Sequence, residues 1–191
     1  MSAGSASHSK ASLRQRYRAL RLAELPAAEP GLQRSATRLA ELLIGEQKLG
    51  LYWPLQGEAD LRHLAEHPSL LGRLALPRVA DGRLLYRPWQ PGDELSLDDT
   101  GIPAPAHGPN LEASGLGLLL APALAFDAAG IRLGYGGGWF DRLRCDPLWA
   151  SIPALAVLPT ACLTAAIPRD GWDVPFPGWL DEQGIHWLQA V

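Results

Sequence analysis

Only two cysteines, Cys145 and Cys162, occur among the 191 residues. They fit no zinc-ligand spacing and supply no disulfide framework, so a reducing, cytoplasmic setting is expected. Charge of one sign is not in excess either. The net charge is −3, so no nucleic-acid-binding surface is implied by global charge. Long hydrophobic runs are missing: the longest, Leu116 to Phe126, is far too short to span a bilayer. The opening MSAGSASHSK lacks the apolar h-region of a signal peptide. No internal repeat is present. The one glycine-rich stretch lacks the Lys-Ser/Thr pair that completes a P-loop, and its spacing fails the dinucleotide fingerprint.

What remains is an ordinary soluble globular composition, 47% apolar and 19% charged, with length enough for one sizeable core and one domain. Seven tryptophans are many for this length. They suit a core or an interface, and some are available to stack on a flat ligand.

The glycine-rich stretch organises the reading. An apolar run, Leu118 to Ala121, leads through Pro122 and a turn into a segment holding Gly130, Gly134, Gly136, Gly137 and Gly138. Arg132 precedes the cluster, and Trp139, Phe140 and Asp141 follow it. This predicts strand, loop and helix, with the helix over about 137–143. Glycine allows positive φ and close approach of a ligand to bare N–H groups, and a helix start adds its positive dipole end. The pattern describes a phosphate cradle; it also describes a plain glycine-rich turn.

Upstream, residues 1–8 are small and polar, and are expected to be a disordered tail before a single domain over 9–191. Ser9 is expected to cap a helix from Lys10 that stops before Pro26. Leu13, Tyr17, Leu20 and Glu24 share one face of it, with Lys10, Arg14, Arg18 and Arg21 on the stripe beside. Such like charges repel unless something anionic offsets them. A bound polyphosphate would do so, and a solvated face is the plainer alternative. A second helix is predicted from Pro30 with Leu32, Ala36, Leu39 and Leu43 inward. Strands are predicted at Lys48–Tyr52, at Arg73–Leu76 closed by Pro77, at Leu84–Trp89, and at Pro153–Leu158, with a possible small strand over Ile185–Leu188. The 91–116 segment reads as a long surface connection. Glu58 sits in a turn after the Lys48–Tyr52 strand, where open α/β sheets place ligand contacts; it is equally an exposed acid beside a short helix that Asp60 could cap. Strands alternating with helices predict a three-layer αβα fold, α/β in class, with a mostly parallel central sheet.

On these residues the chain resembles the 5-formyltetrahydrofolate cyclo-ligase family, also called methenyltetrahydrofolate synthetases. The central match is LAPALAFDAAGIRLGYGGGWFDR, which looks like the family's strand, glycine loop and helix. KASLR at Lys10 to Arg14, YWPLQGE at Tyr52 to Glu58, LPRV at Leu76 to Val79, GIPAP at Gly101 to Pro105, and IPRDGWDVP near the end fall in the family's order. The resemblance implies an ATP- and Mg²⁺-dependent ligase. ATP would phosphorylate the N5-formyl oxygen of 5-formyltetrahydrofolate, and N10 would close the ring to 5,10-methenyltetrahydrofolate with release of ADP and phosphate.

Carried over by position, the resemblance places ATP at Lys10, Ala11, Ser12, Leu13, Arg14, Arg132, Leu133, Gly134, Tyr135, Gly136, Gly137, Gly138, Trp139 and Phe140. Lys10, Arg14 and Arg132 would neutralise the phosphates and carry the catalysis. The reduced folate falls to Trp53, Glu58, Tyr135, Gly136, Gly137, Gly138 and Trp139. Mg²⁺ falls to Asp141 and Asp173; each also fits a structural role, Asp141 in a helix's first turn and Asp173 in an ordinary turn. A cytoplasmic monomer with neither nucleic acid nor membrane as partner is expected. Three positions depart from the family: Ala104 stands where GIPEP has Glu, no glutamine follows the last core strand, and Trp139-Phe140 replaces a tyrosine pair. A non-catalytic folate or nucleotide binder, or an ATP-dependent enzyme acting on another small molecule, are the alternatives.

Overall fold

The computed structural model describes residues 9–188, so the expected tail over 1–8 lies outside the described residues. Ser9 caps the first helix as expected: its side chain accepts a hydrogen bond from the Ser12 N–H, which satisfies one of the free donors of the first turn. The helix α1 then runs Lys10–Thr37 without a break. Pro26 and Pro30 lie inside it, so the two helices expected from the sequence are one. An interior proline costs about 3 kcal/mol through its missing donor and its ring. Against that, Leu25, Ala28, Leu32 and Ala36 are buried in one cluster against the sheet, and each fully buried leucine returns about 1.5–3 kcal/mol. Burial overrides the breaker. Gly31 lets the helix pass close to the turn between the last two strands, since a Cβ there would lie 2.6 Å from the Glu182 Cβ.

Among the described residues twelve strands follow in chain order: β1 Lys48–Gly50, β2 Leu74–Ala80, β3 Arg83–Trp89, β4 Leu95–Leu97, β5 Pro103–Pro105, β6 Leu116–Pro122, β7 Ala125–Asp127, β8 Arg132–Leu133, β9 Ala154–Val157, β10 Leu163–Thr164, β11 Gly178–Asp181 and β12 Gly184–Trp187. Between β8 and β9 lie two short helices, α2 Trp139–Arg144 and α3 Pro147–Ala150. Seven strands form the central sheet in the order β12-β11-β9-β6-β1-β2-β3. The five inner strands are parallel, and β3 and β12 close the edges antiparallel. In β6, Leu118 and Leu120 join one core cluster while Leu119 and Ala121 join the other. That period of two, buried on both faces, is the mark of a sheet between two layers. The second half of α1 covers one face; α2, α3 and the three-stranded sheet β10-β7-β8 cover the other. The expected αβα fold with a mostly parallel sheet is thus the one observed.

The differences lie at element ends. Strand β2 continues through Pro77 rather than stopping there. Its neighbour β1 pairs only with Leu74 and Ala75, so the donor that Pro77 lacks is not required by the ladder. The 91–116 connection carries the β4–β5 ribbon, and the tail contributes β11, which the sequence pattern did not indicate.

The chain passes from β1 outward through β2 to β3, then returns to the far side of β1 as β6. Between β1 and β6 the strand order reverses, and in open α/β sheets the crevice beyond the carboxyl ends at such a point is the usual ligand site.

Candidate active site

A cavity of about 400 Å³ opens at that reversal. The turn after β1 supplies Trp53 and Glu58, the end of β6 supplies Pro122, and the segment from Arg132 to Asp141 forms a wall. Lys10 and Arg14 enter from the first turns of α1, and Asp170, Trp172 and Asp173 from the tail. The site residues expected from the sequence therefore converge, with the exception of Ala11, Ser12 and Leu13. Leu13 is buried in the core, and the Ser12 hydroxyl donates to the Ser9 carbonyl.

Strand β8 and the loop after it set the basic wall. The Arg132 side chain is only 7% exposed. Its Nη1 donates to the Pro122 carbonyl at 3.0 Å, and its guanidinium lies 5.0 Å from the Phe140 ring centre and 5.4 Å from that of Phe176. Burial pulls its pKa below the ordinary value, while the nearby Asp141 and Glu58 charges push it back up. Arg132 Nε is buried without a hydrogen-bond partner among the described residues. Arg14 Nε donates to the Gly134 carbonyl at 3.0 Å, which ties α1 to the loop. A Cβ at Gly134 would sit 2.7 Å from Arg132 Nη1, so a side chain there would push the guanidinium from its place.

Beyond Gly134 the chain turns through φ 108° at Gly136 and 64° at Gly138, in the region that favours glycine. The backbone N–H groups of Tyr135, Gly136 and Gly137 make no hydrogen bond among the described residues. Helix α2 begins only at Trp139 and has six residues. The helix thus starts within two residues of the expected Gly137, and the loop N–H groups stand beside its own first-turn donors.

Lys10 Nζ lies 2.7 Å from Asp170 Oδ2 and 2.6 Å from Asp173 Oδ2, and the Asp170 N–H also donates to Asp173 Oδ2 at 2.7 Å. Burial works to lower the Lys10 pKa, but the hydrogen bonds and charges of the two aspartates outweigh it and the net shift is upward. Among the described residues no group of three or more His, Cys, Asp or Glu side chains gathers as a metal cage. Asp141, whose nearest cation is Arg132 Nη2 at 3.9 Å, and Asp173 are two carboxylates on one rim. That donor set fits Mg²⁺, which is held through one or two carboxylates with phosphates and waters completing its shell.

The opposite wall is aromatic and apolar. One face of Trp53 is covered by the Arg62 guanidinium at 4.3 Å, which Asp60 grips with two hydrogen bonds of 2.9 and 2.6 Å. Trp139, at the end of the loop wall, is covered by Arg142 in the same way, also at 4.3 Å. Val79, Leu84 and Ile102 complete the apolar lining. Glu58 is buried in this wall. Its Oε2 accepts from the Leu55 N–H at 2.9 Å, while Oε1 is buried with no hydrogen-bond partner among the described residues. Burial raises the Glu58 pKa above its ordinary value, against the Leu55 N–H and the Arg21 and Arg132 charges.

Sequence reasoning did not single out Asp170, Trp172, Val79, Leu84 or Ile102 as site residues. Trp172 and Asp170 sit inside the IPRDGWDVP match, Val79 inside LPRV and Ile102 inside GIPAP, and those matches signalled them; Leu84 carried no such signal. Ala104 is wholly buried in β5 and is not part of the cavity lining, so no carboxylate is offered from that position.

The sequence profile of the 5-formyltetrahydrofolate cyclo-ligase family matches residues 6–178. The 5-formyltetrahydrofolate cyclo-ligase of Escherichia coli strain K12 is 30% identical over 178 residues, covering 86% of this chain and 93% of that protein. The solution structure of the Aquifex aeolicus 5,10-methenyltetrahydrofolate synthetase superposes with a TM-score of 0.73 at 26% identity, covering 95% of this chain and 94% of the other. The Mycoplasma pneumoniae 5,10-methenyltetrahydrofolate synthetase shares the fold at 16% identity with a TM-score of 0.71, covering 92% and 99%. The expectation drawn from the glycine loop and its companion segments thus holds, and the chain belongs to the 5-formyltetrahydrofolate cyclo-ligase family.

Proposed function

We infer that the chain is an ATP-dependent 5-formyltetrahydrofolate cyclo-ligase, a cytoplasmic enzyme that forms 5,10-methenyltetrahydrofolate with release of ADP and phosphate. One observation carries the reading beyond family membership: a single cavity joins a cationic wall with bare loop N–H groups to an aromatic wall holding a buried carboxylate. Phosphoryl transfer requires positioning and charge neutralisation more than covalent help. Arg14, Arg132 and the N–H groups of residues 135–137 suit the phosphates, with Arg132 offering a planar fork and Lys10 a point charge. The unpartnered Arg132 Nε and Glu58 Oε1 are the kind of buried polar atoms that a ligand completes.

Asp141 and Asp173 would hold Mg²⁺, which supplies charge neutralisation between the phosphates. A flat pterin fits between Trp53 and Trp139, each ring already fixed by an arginine on one face. Glu58 Oε1 faces the amino-pyrimidine N–H groups and orients the ring. Held there, the N5-formyl oxygen would meet the γ-phosphate at the glycine loop, which touches both ligands. N10 would then attack the activated carbon and phosphate would leave.

The test is direct: purified protein, ATP, Mg²⁺ and 5-formyltetrahydrofolate, followed by the absorbance of the methenyl product. Turnover is expected. Folate binding without turnover would mark a binder, and ATP hydrolysis stimulated only by another substrate would reassign the reaction.

A further inference from the structure

Arg21 belongs to neither wall of the cavity, yet it is among the most deeply buried charged residues, at 2% exposure. On α1 it falls at the spacing of Leu13, Tyr17 and Leu25, all of them buried, so its side chain enters the molecule rather than the solvent. Three contacts meet it there. Nη1 donates to the Ala123 carbonyl, just beyond β6, at 3.2 Å. Nη2 donates to the Tyr135 hydroxyl, and the guanidinium lies 5.1 Å from the centre of that ring. Nη1 also stands 3.9 Å from Glu58 Oε1.

We propose that Arg21 is a positioning residue for both ligands, pinning the glycine loop through Tyr135 and holding the Glu58 carboxylate in place from behind. The proposal rests on the cyclo-ligase reading for its consequence in catalysis, but its physical content does not. A buried arginine stays charged, and a charge in a dry interior is costly unless paired. Glu58 is its one anionic neighbour within ion-pair distance among the described residues. The groups facing Glu58 can be named from each side: Arg21 on α1, Arg132 on β8, the Leu55 N–H on its own turn, and Tyr52. The Tyr52 hydroxyl is committed to the Ala59 carbonyl at 2.9 Å. Since burial drives Glu58 toward its neutral form, loss of the Arg21 charge leaves Arg132 as the one cation opposing it among the described residues.

The experiment follows the Glu58 carboxyl by NMR in ¹³C-glutamate-labelled protein, with Glu58→Gln assigning the signal, in wild type and in Arg21→Met, Arg21→Lys and Tyr135→Phe. The Glu58 midpoint is expected to rise by about one pH unit or more in Arg21→Met and to stay near wild type in Arg21→Lys and Tyr135→Phe. Backbone order over residues 134–138, read as the heteronuclear NOE, is expected to fall in Arg21→Met and Tyr135→Phe alike. In turnover, the folate KM of Arg21→Met should exceed that of wild type about tenfold at pH below both Glu58 midpoints, and the gap should close as pH rises past them, which a merely structural role would not produce. A Glu58 midpoint in Arg21→Met that coincides with wild type overturns the proposal. Should Arg21→Met fail to fold, a raised midpoint in Arg21→Lys or unchanged loop order in Tyr135→Phe overturns it instead. Failure of the wild type to turn over folate would overturn the functional reading and leave the Glu58 titration standing.

Discussion

On the basic wall of the cavity, Lys10 meets Asp170 and Asp173 at 2.7 and 2.6 Å with side chains that still touch water. Behind the aromatic wall, Arg21 and Glu58 stand 3.9 Å apart, with side chains 3% and 2% exposed. The closer pair is the more exchangeable one. Its Lys10, Asp170 and Asp173 side chains are 16%, 43% and 10% exposed, so water and salt reach it and weaken it, and a phosphate or a cation entering the cavity can replace its members. The looser pair cannot be rescued by solvent, and breaking a buried pair costs about 3–5 kcal/mol. A wall that must admit and release charged phosphates is built from the first kind. A wall that must present one carboxylate in one place is built from the second.

The largest expected effect probes the group that stands between them. Arg132 is buried like Arg21 but lines the cavity like Lys10. Arg132→Ala is expected to lower kcat by on the order of 10²–10³-fold, the range for losing one preorganised group aimed at transition-state charge. The folate KM should change far less. Steady-state kinetics decide it: equal losses in kcat and in folate affinity would place Arg132 with the folate or the scaffold.

Next in size, Glu58→Gln should raise the folate KM roughly tenfold to hundredfold, from the about 1.5–3 kcal/mol of hydrogen bonds to a charged partner. The ATP KM should stay where it is. An unchanged folate KM would move the pterin away from Glu58 and dissolve the distinction between the walls.

Smaller again is Lys10→Ala, expected to raise the ATP KM up to about tenfold, with a melting temperature within a few degrees of wild type because water reaches the Asp170 and Asp173 carboxylates it leaves behind. Added salt should weaken ATP binding in wild type more than in this variant. A large loss of stability would mean that the Lys10 pair is structural after all.

How much of this was legible in the chain follows from range. The Ser9 cap and the glycine loop with its flanking Arg132 and Asp141 are set within a few residues of sequence, and they could be read there. The β2 path through Pro77 and the uninterrupted α1 could not, because each depends on what a distant partner buries or fails to pair. Arg21 is the instructive case. Counted with Lys10, Arg14 and Arg18 it looks like one more solvated cation. Counted with Leu13, Tyr17 and Leu25 it lies on the buried stripe, and that second spacing was available in the sequence. What no spacing revealed was the pair of partners from two other segments, Glu58 and Tyr135, that make burial of a charge tolerable.

The smallest effect is one of stability, and it turns on sign. Burial raises the Glu58 pKa in the folded protein above the ordinary 4.5, and the Leu55 N–H, Arg21 and Arg132 oppose that without cancelling it. The folded state therefore holds the Glu58 proton more tightly than the unfolded state. As pH rises from about 4.5 through the folded value, folding releases stability, and above that value the cost is fully present. Each pH unit between the two values is worth about 1.4 kcal/mol, a few degrees in Tm for a chain of this size. Glu58→Gln has no such proton to lose. Its Tm should gain on wild type through that window and then run parallel to it up to pH 8. Lys10 titrates far above this range, since its shift is upward from 10.5, so Lys10→Ala should show no comparable divergence. Curves for wild type and Glu58→Gln that stay parallel from pH 4 to 8 would mean that Arg21 and Arg132 offset the burial of Glu58 in full, and that the buried pair is as cheap to keep charged as the exposed one.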